Sequence, residues 1–477
     1  MNANIRRLGL FFLVAFAIIL IDLTYWQVID ASNMATRSDN QRLTIEANQV
    51  RRGLILDRNG VVLAGRVVDA NGIVHRTYAD PSLSQVIGYD SPRYGRSELE
   101  KTYDDYLTGR NVGPSWKNQL DQWEHRQVVG DDVTLTIDER LQRQVAAILP
   151  NQPSAAIVTD PRNGEVLAMV SKPEFDASQI DNPSYWTSLF PPGAGEPLIN
   201  RAVNGYYPPG STFKILTMSA ALDSGIMSPT TPFYGIDATG PLTVDFHTFP
   251  ASINNLPAGV GSVDLTHALM YSDNIVFAKV GLALGQSRFR DYASRYGIDS
   301  PVPFDIPAFQ SHLMSQGETF SNVDLASTAF GQGGLHVTPL QMLMLAEAQA
   351  TGGTIPNPVL VKQVRGPDGS VIKDANYGTL HQPISSDTAT QMRAAMVQVV
   401  QGGSGFEANI PGIQVAAKTG TAETGGGLPP HAWFVCFAPA AHPRVAVVVI
   451  VEHGGEGAFV AAPLARQILQ AALPLTQ

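Results

Sequence analysis

The chain has 477 residues, and 32 lysines and arginines stand against 42 aspartates and glutamates, which gives a formal net charge of −10. This length leaves room for roughly two to four domains, each with its own hydrophobic core. The acidic balance and the lack of a long basic run argue against nucleic-acid binding. With Cys436 as the single cysteine, an intramolecular disulfide is excluded. Because Cys436 lies in an apolar run, we predict that it is a buried small hydrophobe.

The N-terminal segment has the composition of a membrane anchor. An apolar run from Leu8 to Leu23 follows Arg6 and Arg7. Its length approaches the roughly 20 residues of a membrane span, and arginines on its N-terminal side predict a cytoplasmic N-terminus with the rest of the chain outside. A cleaved signal peptide is the alternative, but no small-residue cleavage site lies at the expected place. We therefore predict a short cytoplasmic N-terminus and a single-pass plasma-membrane anchor over residues 1–30.

Residues 31–150 are predicted to form a non-catalytic domain that is mixed and mainly β. Two short apolar runs between Leu54 and Leu63 flank Asn59-Gly60, the dipeptide typical of a β-hairpin corner. The same dipeptide occurs between Asp160 and Met169. This second hairpin opens the third region, which is predicted to be the catalytic domain, residues 151–477.

The third region contains a serine and a lysine three residues apart. The run Pro208-Pro209-Gly210-Ser211-Thr212-Phe213-Lys214 enters a helical apolar pattern that extends from Phe213 to about Met227. Serine is favoured at a helix N-terminus, and residues three apart in the first turn share a face. The amine of Lys214 is therefore predicted to lie close to the Ser211 hydroxyl. A desolvated lysine can activate a serine as a nucleophile, and burial together with the charge of Lys418 would lower its pKa.

A second polar motif, Ser272-Asp273-Asn274, lies between two helical patterns at residues 263–270 and 275–284. This position predicts that Ser272 occupies an interhelical turn that faces a cleft.

A third polar motif, Lys418-Thr419-Gly420-Thr421, follows the apolar run Ile413–Ala417, which we predict to be a strand. His431–Ala438 and Arg444–Glu452 are predicted to be two further strands, so that the three form an antiparallel meander. A strand that carries this motif at the edge of a cleft can pair with an extended peptide.

The predicted fold class is mixed α/β, an antiparallel sheet flanked by helices. Residues 151–169 and the C-terminal strands would form the sheet, and a final helix near Ala458 to Leu473 would pack on it. The helix after Ser211 and the helical region around Ser272 would form the other wall of the cleft.

Each of the three motifs is weak alone, but their order is that of penicillin-binding proteins and class A β-lactamases. From about residue 151 to its end, the chain resembles the transpeptidase domain of class B penicillin-binding proteins. Further runs that resemble this family are Pro197–Ala202, Gly331-Gln332-Gly333 with Thr338–Gln341, and Pro430–Phe434. Arg52-Gly53 before the first hairpin, and Gly95–Glu100, resemble the family's non-catalytic pedestal. Glu98 stands where the family has glycine, which leaves the backbone bend there open.

The resemblance implies that the chain cross-links peptidoglycan stem peptides through an acyl-enzyme. Ser211 would attack the carbonyl of a D-alanyl-D-alanine peptide, Lys214 would accept its proton, and Ser272 would relay a proton to the departing D-alanine. The backbone N–H groups of Ser211 and Thr421 would form the oxyanion hole. The complete set implied for catalysis and substrate binding is Ser211, Lys214, Ser272, Lys418, Asn274, Thr419, Gly420 and Thr421, with Lys418, Thr419 and Thr421 on the terminal carboxylate.

The resemblance also implies partners. It requires no metal or organic cofactor, and it implies binding of stem peptides and β-lactams at a membrane. A membrane glycosyltransferase of the shape, elongation, division and sporulation type is expected by analogy.

Three alternative functions stay open at this stage. A D,D-carboxypeptidase differs only in transferring the acyl group to water. A β-lactamase would also hydrolyse its acyl-enzyme, but Glu196-Pro197-Leu198-Ile199-Asn200, which resembles the class A glutamate motif, precedes Ser211 instead of following Ser272. A penicillin-binding sensor or scaffold would be acylated without turnover.

Overall fold

The structure is a computed structural model that describes residues 2–26, 51–69, 74–110, 129–235, 240–250, 262–314 and 319–476. The predicted boundary between residues 30 and 31 lies outside these ranges. The helices in the described ranges are α1 (Asn2–Thr24), α2 (Ser84–Ile87), α3 (Glu98–Thr102), α4 (Asp104–Leu107), α5 (Glu139–Ile148), α6 (Pro183–Ser188), α7 (Arg201–Asn204), α8 (Lys214–Asp223), α9 (Leu265–Met270), α10 (Asn274–Arg295), α11 (Asn322–Ala329), α12 (Pro339–Ala350), α13 (Ser386–Gln401) and α14 (Ala461–Ala472).

The strands in these ranges are mostly short, and the longest lie between β7 and β19. They are β1 (Ile55–Leu56), β2 (Val62–Val68), β3 (Val74–Tyr78), β4 (Asp90–Ser91), β5 (Gly95–Arg96), β6 (Asp132–Leu135), β7 (Ser154–Asp160), β8 (Glu165–Lys172), β9 (Pro232–Tyr234), β10 (Leu242–Val244), β11 (His247–Phe249), β12 (Ser262–Asp264), β13 (Ile355–Pro356), β14 (Val361–Arg365), β15 (Val371–Asp374), β16 (Thr379–His381), β17 (Ala416–Ala422), β18 (His431–Ala438) and β19 (Val445–Val451).

A five-stranded antiparallel sheet in the order β17-β18-β19-β7-β8 forms the centre of the molecule. Helices cover both of its faces. Val447 and Val449 belong to the apolar cluster that contains residues of α5 and α14, whereas Val448 and Ile450 belong to the cluster that contains residues of α12. Because both faces are buried, β19 reads as an unbroken apolar run instead of an alternating one. The predicted fold class is confirmed.

Three predicted boundaries near the site are wrong by a few residues. The helix predicted to extend to Met227 ends at Asp223, and Gly225 just beyond it has a φ of 70°, a backbone conformation that favours glycine after a helix. The strand predicted over Ile413–Ala417 begins at Ala416, because Ile413 instead forms an isolated bridge with Ile410. The final helix begins at Ala461 and not at Ala458.

The helical wall beside the sheet is built from α8 to α13. α8 packs on α10 and α13, and α10 packs on α11. Gly285, with a φ of 75°, divides α10 into two helical halves. Ser272 lies in the turn between α9 and α10, as predicted.

A second sheet of six strands has the order β15-β14-β6-β1-β2-β3. Its first members in the chain are β1 and β2, which form the predicted hairpin with Gly60 at a φ of 87° in the corner. β14, however, comes from residues 361–365 and pairs with β6 through Val364 opposite Val133, and β15 pairs with β14. The sheet therefore takes strands from both sides of residue 150. Sequence patterns did not foresee β14 and β15 in this sheet, because β14 joins it by a non-local pairing with β6.

Helix α1 contains a stretch, Asn4–Thr24, of 21 residues with a mean hydropathy of 2.2. This is long and apolar enough to cross a membrane by length and composition. The predicted segment from Leu8 to Leu23 lies entirely within it.

Glu98 keeps the backbone bend that the pedestal resemblance placed in question. Its φ of 43° lies in the left-handed region, which favours glycine. Its Oε2 is buried without a hydrogen-bond partner among the described residues, and burial raises the pKa of the carboxyl group to about 7. The bend is thus present, but it holds a strained and poorly solvated glutamate.

Replacement of Glu98 by glycine is expected to raise the free energy of unfolding by about 1 kcal/mol, because a left-handed non-glycine residue costs roughly that much. The measurement is urea-induced unfolding at several pH values. Glu98→Gln retains the strain but removes the ionisation, so it serves as the matched control. Its advantage over wild type should grow as the pH rises from about 4 to about 7, because ionisation is disfavoured only in the folded chain. A loss of stability in Glu98→Gly would mean that side-chain packing outweighs the strain.

Candidate active site

Ser211 lies in a 3-10 turn, Gly210–Phe213, that leads directly into α8 at Lys214. The sequence predicted a helix N-terminus here, and the structure places the serine one turn earlier, inside the tighter 3-10 geometry. In such a turn residues three apart are eclipsed, so the Lys214 side chain lies directly beside the serine. The Lys214 Nζ to Ser211 Oγ distance is 2.9 Å. The predicted contact between the two side chains is present.

Close backbone packing fixes the position of this turn. Gly210 has a φ of 55°, and a Cβ there would lie 2.7 Å from the carbonyl oxygen of Thr421. The Gly210 N–H donates to the carbonyl oxygen of Gly331 at 2.9 Å. A Cβ at Gly331 would lie 1.7 Å from the Gly210 carbonyl oxygen, so no other residue fits. The Gly331 signature thus has a physical reason, which is the approach of a third segment to the serine turn.

Lys214 is fully buried between the serine turn and the turn of Ser272. Its Nζ lies 2.7 Å from the Ser272 carbonyl oxygen and 2.6 Å from Asn274 Oδ1, and both atoms can only accept. Burial lowers the pKa of Lys214 well below its usual value, and the nearby Lys418 charge lowers it further. A neutral amine has two N–H donors and one lone pair. Since the two acceptors take both donors, the lone pair accepts from a hydroxyl, either that of Ser211 at 2.9 Å or that of Ser272 at 3.2 Å.

Ser272 has a φ of 63°, an uncommon conformation for a serine. The adjacent Asp273 caps the N-terminus of α10, and its Oδ1 accepts from the Val276 N–H at 3.0 Å. The turn directs the Ser272 hydroxyl between the two lysines: its Oγ lies 3.2 Å from Lys214 Nζ and 2.8 Å from Lys418 Nζ. The hydroxyl therefore connects the two amines in one hydrogen-bonded chain.

Lys418 is fully buried in β17, where it lies opposite Val435 of β18. Burial lowers its pKa to about 7. Its Nζ also donates to the carbonyl oxygen of Thr419 at 3.0 Å and lies 3.3 Å from Thr419 Oγ1. β17 is an edge strand, and no described strand pairs with its outer side. An extended peptide can therefore add to it beside Ser211.

Gly420 and Thr421 bring the end of β17 against the serine turn. A Cβ at Gly420 would lie 2.9 Å from both the Pro209 carbonyl oxygen and Thr212 Cγ2, which explains the glycine in the motif. The Thr421 hydroxyl is contacted by the Gly457 N–H at 3.4 Å. All eight predicted site residues thus belong to the same cluster of contacting segments.

Two groups of residues were missed by sequence reasoning. Ser404 Oγ lies 2.8 Å from Thr419 Oγ1, and its only sequence signal is the surrounding glycines. Glu452 accepts from Tyr207 Oη at 2.7 Å and from Arg201 Nε at 2.6 Å, and thereby ties the end of β19 to the loop that leads to the nucleophile. Arg201 belongs to the run Pro197–Ala202 that resembles the family, but no short motif pointed to Tyr207 or Glu452.

Cys436 is fully buried in β18, as predicted. Burial raises the pKa of its thiol, so the thiolate is disfavoured. Cys436 is therefore a packing residue.

The fold and this site define a class of protein. The family of the penicillin-binding protein transpeptidase domain matches residues 154–470, and that of the penicillin-binding protein A dimerisation domain matches residues 52–133. The chain belongs to the class B penicillin-binding proteins, whose enzymes are serine-type peptidoglycan D,D-transpeptidases. The family resemblance and the predicted enzyme class are confirmed.

Among similar proteins, the peptidoglycan D,D-transpeptidase PbpA of Mycobacterium tuberculosis is 32% identical over 502 residues, which cover 99% of each chain. The ceftriaxone acyl-enzyme complex of penicillin-binding protein A from M. tuberculosis superposes with a TM-score of 0.81 at 32% identity, and the match covers 90% of this chain and 100% of that one. A D,D-transpeptidase domain from Eggerthella lenta gives a TM-score of 0.79 at 32% identity, over 90% of this chain and 99% of that one.

Proposed function

We propose that this chain cross-links peptidoglycan by D,D-transpeptidation through an acyl-enzyme on Ser211. The observation that carries the proposal is the 2.9 Å contact of the buried Lys214 amine with Ser211 Oγ. Two further neighbours of this amine, the Ser272 carbonyl oxygen and Asn274 Oδ1, can only accept. This is the arrangement of a nucleophile with its general base.

Acylation begins when Ser211 Oγ attacks the carbonyl carbon of the penultimate D-alanine and Lys214 accepts the hydroxyl proton. The backbone N–H groups of Ser211 and Thr421 stabilise the developing oxyanion, typically worth a factor of ~10²–10³ per donor. The peptide C–N bond then breaks, and the leaving D-alanine nitrogen takes a proton through the Ser272 hydroxyl. The chain from Lys214 through Ser272 to Lys418 supports this transfer, since each link is a hydrogen bond of 3.2 Å or less.

The substrate is held along β17. Its terminal carboxylate is bound by Lys418 and by the hydroxyls of Thr419 and Thr421, and its backbone pairs with the strand edge at Gly420. Asn274 binds an amide of the peptide. An amine of a neighbouring stem peptide then attacks the ester carbonyl, forms the new amide bond and releases Ser211.

Among the hydrolytic alternatives, a β-lactamase of the class A kind would need a glutamate that holds the deacylating water. Glu196, the residue that resembles the class A β-lactamase glutamate, is exposed, and its side chain is not among the hydrogen-bond partners of Ser211 or Lys214. A water held by that carboxylate therefore has no support in this arrangement.

We further propose that α1 is an uncleaved membrane anchor with its N-terminus in the cytoplasm. Arg6 and Arg7 near the start of the apolar stretch support this orientation. The catalytic domain would then face the wall, beside a membrane glycosyltransferase of the shape, elongation, division and sporulation type that supplies uncross-linked glycan strands.

The test is the full chain in detergent, supplied with a stem-peptide donor that ends in D-alanyl-D-alanine and with a labelled amine acceptor. Products are separated by mass. Amine-containing product that increases with acceptor concentration is expected, and pretreatment with penicillin should abolish it. Hydrolysed donor without aminolysis would indicate a carboxypeptidase, and rapid consumption of penicillin would indicate a β-lactamase. A stable penicillin adduct without any donor turnover would indicate a sensor or scaffold.

A further inference from the structure

Ser404 lies in a glycine-rich turn, residues 402–405, that directly follows α13. Its N–H donates to the carbonyl oxygen of Met270 at 3.1 Å, and the Gly405 N–H donates to Val399 at 2.9 Å. A Cβ at Gly403 would lie 2.5 Å from the Met270 carbonyl oxygen, so the turn packs closely on the end of α9. Since Met270 is two residues before Ser272, the turn is braced against the wall of the cleft that carries the proton relay.

The side chain of Ser404 reaches the opposite wall. Its Oγ lies 2.8 Å from Oγ1 of Thr419, which is only 5% exposed. Lys418 Nζ lies 3.3 Å from the same Thr419 oxygen. The turn of Ser404 thus joins the Ser272 segment to the strand that carries the carboxylate-binding residues.

The direction of the Thr419 hydroxyl proton depends on these two neighbours. A hydroxyl has one proton to donate and two lone pairs to accept with. If Ser404 and Lys418 both donate to Thr419 Oγ1, its lone pairs are occupied and its own proton must point elsewhere, toward the open side of β17. A carboxylate placed there would receive a charge-assisted hydrogen bond.

We propose that Ser404 is a positioning residue for recognition of the substrate carboxylate, and that it acts by orienting the Thr419 hydroxyl as a donor. The inference rests on the proposed function, because it concerns the same acylation reaction. It assigns a role to a segment outside the three motifs, and it links substrate binding to the packing of α9 and α13.

The test compares acylation of the full chain by penicillin G and by its methyl ester, which lacks the carboxylate charge. Ser404→Ala should slow acylation by penicillin G about tenfold, the size expected for one oriented hydrogen bond to a charged group, and should change acylation by the ester less than twofold. Ser404→Thr retains the hydroxyl and should restore most of the rate. Ser386→Ala, at the exposed start of α13, is the matched control and should equal wild type with both compounds.

A double-mutant cycle with Thr419→Val separates action through Thr419 from independent contact. The double variant should be no slower than Thr419→Val alone. Additive losses of acylation rate in the double variant would overturn the inference. Equal losses of rate with penicillin G and its ester, or a Ser404→Ala rate equal to that of wild type, would overturn it as well. Each of these results would leave the proposed function intact. A wild-type chain that penicillin G does not acylate would overturn both.

Discussion

Replacement of Ser211 by alanine is expected to abolish the covalent adduct with penicillin and to lower turnover of a D-alanyl-D-alanine donor by roughly 10⁴–10⁶-fold. Loss of a catalytic nucleophile removes the reaction path itself, and residual rates then come only from binding and oxyanion stabilisation. The change deletes one partly buried hydroxyl from a 3-10 turn whose position is set by the close contacts of Gly210, so the fold should persist.

The measurement is the intact mass of the chain after penicillin addition, followed over hours beside wild type. The wild type should gain one adduct that persists. Ser272→Ala is the informative companion, because it removes the other hydroxyl near Lys214 but leaves the nucleophile. It should acylate slowly and carry the adduct on Ser211. An adduct on Ser211→Ala would show that another residue is the nucleophile.

Replacement of Lys214 by methionine is expected to lower the rate of acylation by about 10⁴-fold, because general-base catalysis contributes roughly 10²–10⁴ and the altered site also loses its hydrogen-bonded chain. Methionine fills a similar volume, so the buried site should remain packed, although the Ser272 carbonyl oxygen and Asn274 Oδ1 lose their donor. The wild-type rate should fall as the pH drops through the pKa of Lys214, since a protonated amine cannot accept the Ser211 proton. This decrease in rate at low pH, the acid limb of the pH–rate profile, should be absent in Lys214→Met.

Lys418→Met tests the electrostatic coupling of the two lysines. The Lys418 charge contributes to the low pKa of Lys214, so its removal should move the acid limb to higher pH. Arg393→Met, a change of a half-buried cation in α13, should leave the limb in place. An acid limb that is unchanged in Lys214→Met would contradict the assignment of Lys214 as the base.

Local patterns in the sequence determined much of this protein. The apolar run of β19 predicted a strand, and Asn59-Gly60 predicted a hairpin corner, because both signals depend only on neighbouring residues. Lys214 was predicted to lie beside Ser211 from a signal that is also local, because residues three apart in a helical turn share a face. The order of the three motifs was sufficient to predict the family, and the structure brings the eight predicted site residues into contacting segments.

Contacts between distant segments were decided only by the tertiary structure. β14 joins the pedestal sheet through pairing with β6, across more than 200 residues of chain, and no local pattern encodes that register. Ser404 meets Thr419, and Glu452 meets Tyr207, because separate elements pack together. The low pKa of Lys214 arises from burial, which is a property of the assembled core. Local geometry depends on neighbouring residues, so the residue pattern predicts it. Contacts between distant segments and the desolvation of side chains arise only when the chain folds.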